Sequence, residues 1–160
     1  MAEETKVSVQ RPSIDEYYME MCSVIAKRST CLRHHFGAII VKNKMILSTG
    51  YNGAAVGMPH CSDIGCLRDE LKMESGTRHE ICRAVHAEQN AILQCALHGV
   101  SSEGATIYTN GSPCMICAKM IVNAGLKRVV YDTDYPDKLA LELLGSAGIE
   151  VLRFQKNHTE

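Results

Sequence analysis

The sequence predicts an α/β protein, a three-layer α/β/α domain built on a mixed five-stranded sheet. Two apolar segments, 36–41 and 45–50, flank Lys42-Asn43-Lys44 as the strands of a hairpin do. After them, helix and strand patterns alternate three times, which implies right-handed crossovers and helices on both faces of the sheet. With 160 residues, one such domain buries roughly 70% of the surface that its unfolded chain exposes.

The first helix begins at a capping box. Ser13 is a good N-cap and Glu16 follows three residues later. Apolar residues then recur at helical spacing to about Arg28, at Ile14, Tyr17, Tyr18, Met21 and Ile25. The charged and polar residues 1–12 predict a flexible N-terminal tail ahead of a single domain, 13–160.

The remaining elements follow the hairpin in order. Residues 51–76 are the least regular part, and a loop of this length is usually functional or held down by other contacts. A second main helix is expected to begin near Arg83 and to run to His98, with Gly99 as its C′ residue. The last elements are a strand at 105–110, a helix at 113–123 closed by Gly125, a strand at 127–132, a helix at 136–147 and a strand at 149–154.

Composition argues against several classes of function. Seventeen Lys and Arg stand against 18 Asp and Glu, so no global positive field attracts a polyanion and we expect no nucleic-acid partner. Met1 to Pro12 holds no apolar core followed by a cleavage site, and we expect neither a secretory signal nor a membrane partner, hence a cytoplasmic location. Eight cysteines in a reducing compartment favour metal binding over disulfides.

Two short motifs carry the chemistry, His86-Ala87-Glu88 and Pro113-Cys114-Met-Ile-Cys117. A catalytic zinc takes three protein ligands and keeps a fourth position for water, and His86, Cys114 and Cys117 supply one nitrogen and two thiolates. Glu88 is not needed as a ligand, so it is placed to take a proton from zinc-bound water and to pass it to the substrate.

Helix signals surround the second motif. Ser112 is a good N-cap and Pro113 a good first helical residue, which predicts that Cys114 and Cys117 occupy the first turns of a helix. The positive end of the helix dipole lowers thiol pKa there and favours the thiolate that a metal needs. A lone C-x-x-C is often a structural zinc knuckle or a redox pair, but H-x-E together with P-C-x-x-C is the signature of zinc-dependent cytidine and adenosine deaminases.

On these residues the chain resembles the deoxycytidylate (dCMP) deaminase family, of the bacterial, archaeal and phage late-competence-like type within the zinc-dependent cytidine deaminase superfamily. The likeness covers roughly residues 13–155 and includes segments 28–33, 49–53, 59–61, 65–68, 82–88 and 90–92. It implies hydrolysis of dCMP to dUMP and ammonia, which supplies thymidylate synthesis. The chain departs from the common pattern at Gln89, where many relatives carry an aliphatic residue, and at Asn110-Gly111.

The resemblance also implies substrate contacts, each with a structural alternative. Asn52 would contact the sugar or base, or else form an Asn-Gly turn with Gly53, which needs φ > 0. Arg28 or Arg33 would hold the 5′-phosphate, which suits a guanidinium fork, although most arginines are simply solvated. Tyr135 resembles a family tyrosine near that phosphate, or is an ordinary half-buried tyrosine. Ala87 completes the expected substrate-binding set.

Six cysteines remain after the catalytic pair, and they suggest a second zinc. Cys22 and Cys95 lie on predicted helices, where a small apolar residue would serve as well. The other four lie in loops or at element edges, and a tetrahedral site of their thiolates would tie the 51–76 loop to the hairpin entry: Cys31, Cys61, Cys66 and Cys82. Relatives carry an additional zinc with varied ligands, so His79 or His60 is an alternative ligand, with Cys66 the most doubtful of the four. The plain alternative is four reduced, unliganded thiols.

Three further expectations rest on the resemblance. We expect a closed homo-oligomer, with a hexamer as the expected form, together with activation by dCTP and inhibition by dTTP with Mg²⁺. Competing activities are deamination of dCTP, cytidine, guanine, a riboflavin precursor or tRNA adenosine, and the neutral charge disfavours tRNA. A zinc-folded interaction module without catalysis is the alternative from another class, and such a module need not keep Glu88.

Overall fold

The fold is described from a computed structural model for residues 9–155. Its strands are β1 (Gly37–Lys42), β2 (Met45–Tyr51), β3 (Gly53–Ala54), β4 (Ala84–Val85), β5 (Thr106–Gly111), β6 (Arg128–Thr133) and β7 (Glu150–Arg153). Its helices are α1 (Ile14–Ala26), α2 (Cys61–Ile64), α3 (Leu67–Glu70), α4 (Ala87–Leu97), α5 (Met115–Asn123) and α6 (Lys138–Ser146). The main sheet has the order β2-β1-β5-β6-β7, in which β1 is antiparallel to both neighbours and β5, β6 and β7 are parallel. The predicted mixed five-stranded sheet is therefore confirmed.

Helices cover both faces of this sheet, as predicted. Because successive side chains of a strand point to opposite faces, Ile39 and Ile40 belong to different layers of the core. Ile39 packs with α1, in a cluster that also contains Tyr18, Met19, Cys22, Tyr108 and Val130. Ile40 packs with α4, α5 and α6, in a cluster that includes Ala91, Cys95, Ile107, Ile121, Val129 and Leu144. Cys22 and Cys95 are thus core residues, as the sequence suggested.

Glycines at two sheet positions let the backbones of the helices pack directly against the backbone of the sheet. A Cβ at Gly50 of β2 would lie 2.2 Å from the carbonyl oxygen of Ala87 and 2.5 Å from the backbone nitrogen of Ala91. On the other face, a Cβ at Gly37 would lie 2.3 Å from the carbonyl oxygen of Cys22. Gly50 therefore determines how closely α4, the helix that begins beside His86, rests on the sheet.

The hairpin turn has the geometry that its residues favour. Asn43 and Lys44 both adopt positive φ, 51° and 62°, as the two central residues of a type I′ turn do. That turn matches the right-handed twist of the flanking strands, so β1 and β2 pair from Lys42 and Met45 onward. The predicted hairpin is confirmed.

The helix that follows the irregular segment begins later than expected, at Ala87 rather than near Arg83. Residues 84 and 85 form β4 instead, which pairs antiparallel with β3 through Gly53↔Val85 and Ala54↔Ala84. This non-local pairing holds the chain extended up to His86, which becomes the N-cap. The prediction was wrong because no local signal reports a partner thirty residues away.

The segment 51–76 contains more regular structure than expected, namely β3, α2 and α3, with a 3₁₀ turn at His79–Ile81 just beyond it. Arginine side chains secure its backbone. Arg33 Nη2 donates to the carbonyl oxygen of Met73 at 3.0 Å, and Arg68 Nη2 donates to those of Glu74 and Thr77 at 2.7 Å each.

The described residues do not extend to either end of the chain. The predicted tail, 1–12, lies mostly outside the described residues, and residues 9–12 form neither helix nor strand. The last five residues of the predicted domain, 156–160, also lie outside them. Within 9–155 no helix is long and apolar enough to cross a bilayer, and the longest, α1, has 13 residues.

Candidate active site

The structure brings His86, Cys114 and Cys117 together. Nδ1 of His86 lies 3.5 Å from Sγ of Cys114 and 3.4 Å from Sγ of Cys117. A tetrahedral zinc with ordinary Zn–N and Zn–S bonds separates such atoms by about 3.5 Å. Within residues 9–155, this is the only group of three or more His, Cys, Asp or Glu side chains whose ligand atoms all lie within 4.8 Å of one another. The residues present therefore fit a zinc ion.

Each of the two helices that build this group begins at a ligand. His86 is the N-cap of α4 and Cys114 is the N-cap of α5, which places Cys117 in the first turn of α5. The predicted capping role of Ser112 and the helical position of Pro113 are wrong. Ser112 is tied to the end of β6, since its N–H donates to Thr133 O at 2.8 Å and its Oγ accepts from the N–H of Tyr135 at 2.7 Å. The chain thus leaves the sheet two residues later than its local signals indicate.

The thiols of Cys114 and Cys117 shift each other's pKa in opposite directions. The hydrogen bond from Cys117 lowers the pKa of Cys114 to about 3, against the opposing effect of burial. The same bond, together with burial and the charge of Glu88, raises the pKa of Cys117 well above its usual range. Burial lowers the pKa of His86, but the bond to Cys114 and the charge of Glu88 outweigh it and raise the pKa overall. The positive charge of a divalent cation bound by these side chains would favour loss of the protons from Cys117 and His86.

Glu88 lies in the first turn of α4 and is 6% exposed. Burial is the largest influence on its carboxyl group and raises the pKa above the ordinary value, with the charge of His86 opposing. Glu88 lines one cavity together with His86 and Cys114. The wall of this cavity also includes Asn52, Arg68 and Tyr135. A carboxyl group buried beside a cation site, with its pKa raised by that burial, is suited to take up and release a proton there.

Asn52 lines this cavity, but not as a turn residue. Its Oδ1 accepts from the N–H of Phe36 at 2.9 Å, and its Nδ2 donates to the carbonyl oxygen of His34 at 2.8 Å. Neither Asn52 nor Gly53 has positive φ, so the Asn-Gly turn considered above is excluded. Asn52 fixes the backbone that enters β1, and it stays at the cavity wall with one lone pair and one N–H unused by these bonds.

The guanidinium groups of buried Arg68 and half-buried Arg33 face the cavity, and Arg68 was not singled out from the sequence. Arg68 is 5% exposed and forms no salt bridge with any described carboxylate, and its Nε is buried without a partner. Nη1 of Arg33 is likewise buried without a partner, while Nε of Arg33 lies 3.5 Å from the largely exposed Asp69. Arg28, in contrast, is exposed in the turn after α1 and does not line the cavity. A single arginine within a cysteine-rich loop was too weak a signal to reveal Arg68.

Aromatic rings form another wall of the cavity. Tyr135 lies edge-on to Phe36 at 6.1 Å between centroids and 5.9 Å from His79. His79 lies 5.1 Å from the ring of His86, and both of its ring nitrogens are buried without partners. Burial lowers the pKa of His34, and the guanidinium groups of Arg33 and Arg68 lower it further. Tyr135, Phe36, His34 and His79 all line the cavity.

Two other expected site residues lie elsewhere. Ala87 is fully buried, packs in the core with Ala91 and does not line the cavity. His60 also stays outside the cavity, with its Nδ1 3.2 Å from Oγ1 of Thr30.

The four remaining cysteines share one side of the cavity. All of them line it, and the pKa of Cys61 is raised by burial and then by the neighbouring thiols: Cys31, Cys66 and Cys82. Their sulfurs do not form a ligand group within the 4.8 Å that His86, Cys114 and Cys117 satisfy. The fold therefore collects the predicted ligands in one region without closing them into a tetrahedral set.

Three ligands with one nitrogen and two sulfurs, next to a buried carboxyl group in a cavity, define a hydrolytic type of zinc site. Residues 12–133 match the model of the cytidine and deoxycytidylate deaminase zinc-binding region. The chain therefore belongs to the cytidine and deoxycytidylate deaminase family.

Individual relatives agree with this assignment. ComE operon protein 2 of Bacillus subtilis is 42% identical over 144 residues, which are 89% of this chain and 72% of that protein. The deoxycytidylate deaminase of Schizosaccharomyces pombe is 37% identical over 90% of this chain, which spans only 45% of that protein. The crystal structure of dCMP deaminase from cyanophage S-TIM5 in complex with dCMP and dUMP is similar with a TM-score of 0.74 and 31% identity, covering 91% of this chain and 100% of that one.

Proposed function

We propose that this protein hydrolyses dCMP to dUMP and ammonia, with zinc held by His86, Cys114 and Cys117. The observation that carries the proposal is the buried carboxyl group of Glu88, which lines the same cavity as His86 and Cys114, two of three residues whose ligand atoms lie together. The cyanophage relative that binds dCMP and dUMP supports the choice of substrate. Retention of Glu88 argues against an interaction module that has lost catalysis.

Glu88 carries the proton transfers in this proposal. Zinc, when bound, makes water nucleophilic at neutral pH. As that water adds to C4 of the pyrimidine, Glu88 accepts its proton and delivers it to N3. Glu88 then takes the second proton from the same oxygen and gives it to the amino group, which leaves as ammonia while the C4 carbonyl of dUMP forms. The raised pKa of Glu88 suits a group that must both accept and donate a proton.

We further propose that Arg33 and Arg68 bind the 5′-phosphate, with Tyr135 beside it, and that Arg28 does not. A buried guanidinium without a carboxylate partner is costly unless an anion joins it, and Arg68 has none among the described residues. Its unpartnered Nε and the unpartnered Nη1 of Arg33 supply donors for phosphate oxygens. Asn52 is held by its hydrogen bonds to the backbone at 34–36, and we propose that its remaining lone pair and N–H contact the sugar or base.

A substrate panel tests the activity. Purified protein is incubated with dCMP, CMP, dCTP, deoxycytidine, cytidine, guanine and a tRNA anticodon stem-loop, and ammonia release is measured for each. We expect dCMP to give the highest kcat/KM. Faster release from guanine or from the RNA than from dCMP would contradict the proposed substrate.

The ratio of kcat/KM for dCMP over deoxycytidine isolates the phosphate site. Arg68→Gln removes a charge-assisted contact, so this ratio should fall about 10- to 100-fold. Arg28→Gln is the matched control and should leave the ratio unchanged. A larger fall of this ratio in Arg28→Gln than in Arg68→Gln would instead indicate that Arg28 binds the phosphate.

A second zinc, bound by Cys31, Cys61, Cys66 and Cys82, is also proposed, with His79 as a replacement ligand. Its support is that all four side chains line the cavity and that the other three thiols lie close enough to Cys61 to add to the effect of burial in raising its pKa. His79 is the better substitute than His60, because it lies at the same cavity with both nitrogens unpartnered. Metal analysis should give two zinc ions per chain and one in Cys61→Ser. One zinc in both proteins would remove the second site.

A homo-oligomer, with a hexamer as the expected form, remains a proposal, as does activation by dCTP and inhibition by dTTP with Mg²⁺. Apolar side chains on the outer side of α4 support an association surface, since Leu93 is 50% and Leu97 is 75% exposed. Light scattering at micromolar concentration tests the assembly, and a monomer would contradict it. Identical dCMP saturation curves with and without each triphosphate would contradict the control.

A further inference from the structure

Both helices that build the zinc site begin at a residue that caps poorly. The best N-cap side chains are those of Asn, Asp, Ser and Thr, whose oxygen accepts from the first N–H groups of the helix. Here the N-cap positions hold His86 and Cys114, the residues whose ring nitrogen and sulfur face each other across the metal position. The backbone at each ligand therefore needs another side chain to secure it.

On α4 that side chain belongs to Gln89. Its Oε1 accepts from the backbone N–H of His86 at 2.8 Å, three residues back along the chain. Its Nε2 reaches Sδ of Met120 on α5 at 3.7 Å, a weak contact between the two helices. Gln89 thus holds the backbone of one ligand while touching the helix that carries the other two.

On α5 the corresponding side chain belongs to Asp137, which comes from the start of the next helix. Its Oδ2 accepts from the N–H of Met115, the first residue of α5, at 2.7 Å. Its Oδ1 accepts from the N–H of Ala140 at 3.2 Å and so caps α6 as well. One carboxylate therefore joins the beginnings of two helices directly beside Cys114.

From this arrangement we propose that Gln89 and Asp137 are positioning residues of the zinc site. Gln89 binds the backbone N–H of His86 and Asp137 binds the first N–H of α5, and so they hold the backbones of His86 and Cys114 where a cation needs their side chains. Partners of this kind around metal ligands are worth about 10- to 100-fold in metal affinity. The inference rests on the proposed zinc ligands His86, Cys114 and Cys117.

Zinc affinity, measured by competition with a chromophoric chelator on the zinc-loaded protein, tests the proposal. Gln89→Leu and Asp137→Ala remove the acceptor oxygens and should each weaken zinc binding about 10- to 100-fold. Gln89→Glu and Asp137→Asn keep an acceptor oxygen and should restore binding to within about threefold of the wild type. The charge-transfer and d–d bands of the Co²⁺-substituted protein should shift in the first pair and not in the second.

Ser13→Ala is the matched control. Ser13 caps α1 through a 3.1 Å bond from the N–H of Glu16, on the face of the sheet opposite to the zinc site. This variant loses a cap and stability, but zinc affinity should stay at the wild-type value. If Gln89→Leu does not fold, Gln89→Met, which keeps the length of the side chain, takes its place.

Two results would overturn the inference while leaving the proposed function intact. The first is wild-type zinc affinity in both Gln89→Leu and Asp137→Ala, and the second is an equal loss in Ser13→Ala. Failure of the wild-type protein to bind zinc through His86, Cys114 and Cys117 would instead remove the proposed function and this inference together.

Discussion

A single methyl group added at Gly50 should move α4, with His86 and Glu88, away from Cys114 and Cys117. The Cβ of Gly50→Ala would lie 2.2 Å from the carbonyl oxygen of Ala87 and 2.5 Å from the nitrogen of Ala91. Ordinary contacts between such atoms are about 3.5 Å, so α4 must retreat by roughly 1 Å. Because φ at Gly50 is not in the left-handed region, the backbone itself accepts alanine and the contact alone decides the outcome.

The retreat of α4 has a structural cost and a functional one. Overpacking of this kind destabilises by about 1–3 kcal/mol. Since α4 carries His86 and Glu88 while Cys114 and Cys117 belong to α5, the movement changes distances within the site. A displacement of about 1 Å is enough to reduce turnover roughly 100-fold. Urea unfolding gives the first quantity, and kcat for dCMP on zinc-loaded, folded protein gives the second.

Two other glycines provide controls for the same substitution. A Cβ at Gly37 meets Cys22 O at 2.3 Å on the α1 face, so Gly37→Ala should lose comparable stability but keep its kcat. Gly145 lies in α6 with open space around it, and Gly145→Ala should gain about 0.5 kcal/mol from helix propensity. Wild-type stability and kcat in Gly50→Ala, or an equal loss of kcat in Gly37→Ala, would refute the reasoning.

Three further predictions concern pH, the cavity wall and the metal. Hydrogen bonds from Arg128, above all, and from Tyr108 hold the pKa of Asp15 below its usual value, against burial. The resulting stability is present above about pH 4 and is lost as pH falls through the lowered pKa. Asp15→Asn should therefore cost about 1–2 kcal/mol at pH 7 and less at pH 3 by urea unfolding, and an equal cost at both would contradict this. Asn52→Ala leaves the Phe36 N–H and the His34 carbonyl without their partner. It should lower the free energy of unfolding by about 2–3 kcal/mol and also lower kcat/KM for dCMP. Unchanged urea unfolding curves would contradict a structural role for these two hydrogen bonds. Dialysis against a chelator should abolish deamination and lower the melting temperature, with both restored by zinc, and full activity in the metal-depleted protein would contradict a zinc requirement.

Much of the fold was predictable because its signals are local. The Ser13 cap, the alternation after the hairpin and the glycines after the helices each depend on a few neighbouring residues. The sheet, its helices and the hairpin were therefore anticipated to within a few residues. The two C-x-x-C sulfurs and His86 were also anticipated as one group, because their chemistry is recognisable without knowledge of the path of the chain.

The errors share a different cause, which is pairing between distant segments. The start of α4 depends on β4 meeting β3, and the start of α5 depends on Ser112 being held by Tyr135. Arg68 is held at the cavity by hydrogen bonds to carbonyl oxygens six and nine residues away, and secondary-structure propensity does not reveal such a role. For Asn52 the sequence left a substrate contact and an Asn-Gly turn open, because the dipeptide favours a turn, and it did not predict that the side-chain amide would bind the backbone at 34–36.

The central claim is that Glu88 moves protons at a zinc site made by His86, Cys114 and Cys117. The most direct test is the rate of dCMP conversion by Glu88→Gln, followed by ultraviolet absorbance with zinc content measured on the same sample. Loss of a proton-transferring group predicts a decrease in kcat of roughly 10²- to 10⁴-fold or more, with the zinc at these three ligands retained. A zinc-replete Glu88→Gln protein that deaminates dCMP within about tenfold of the wild-type rate would contradict the account.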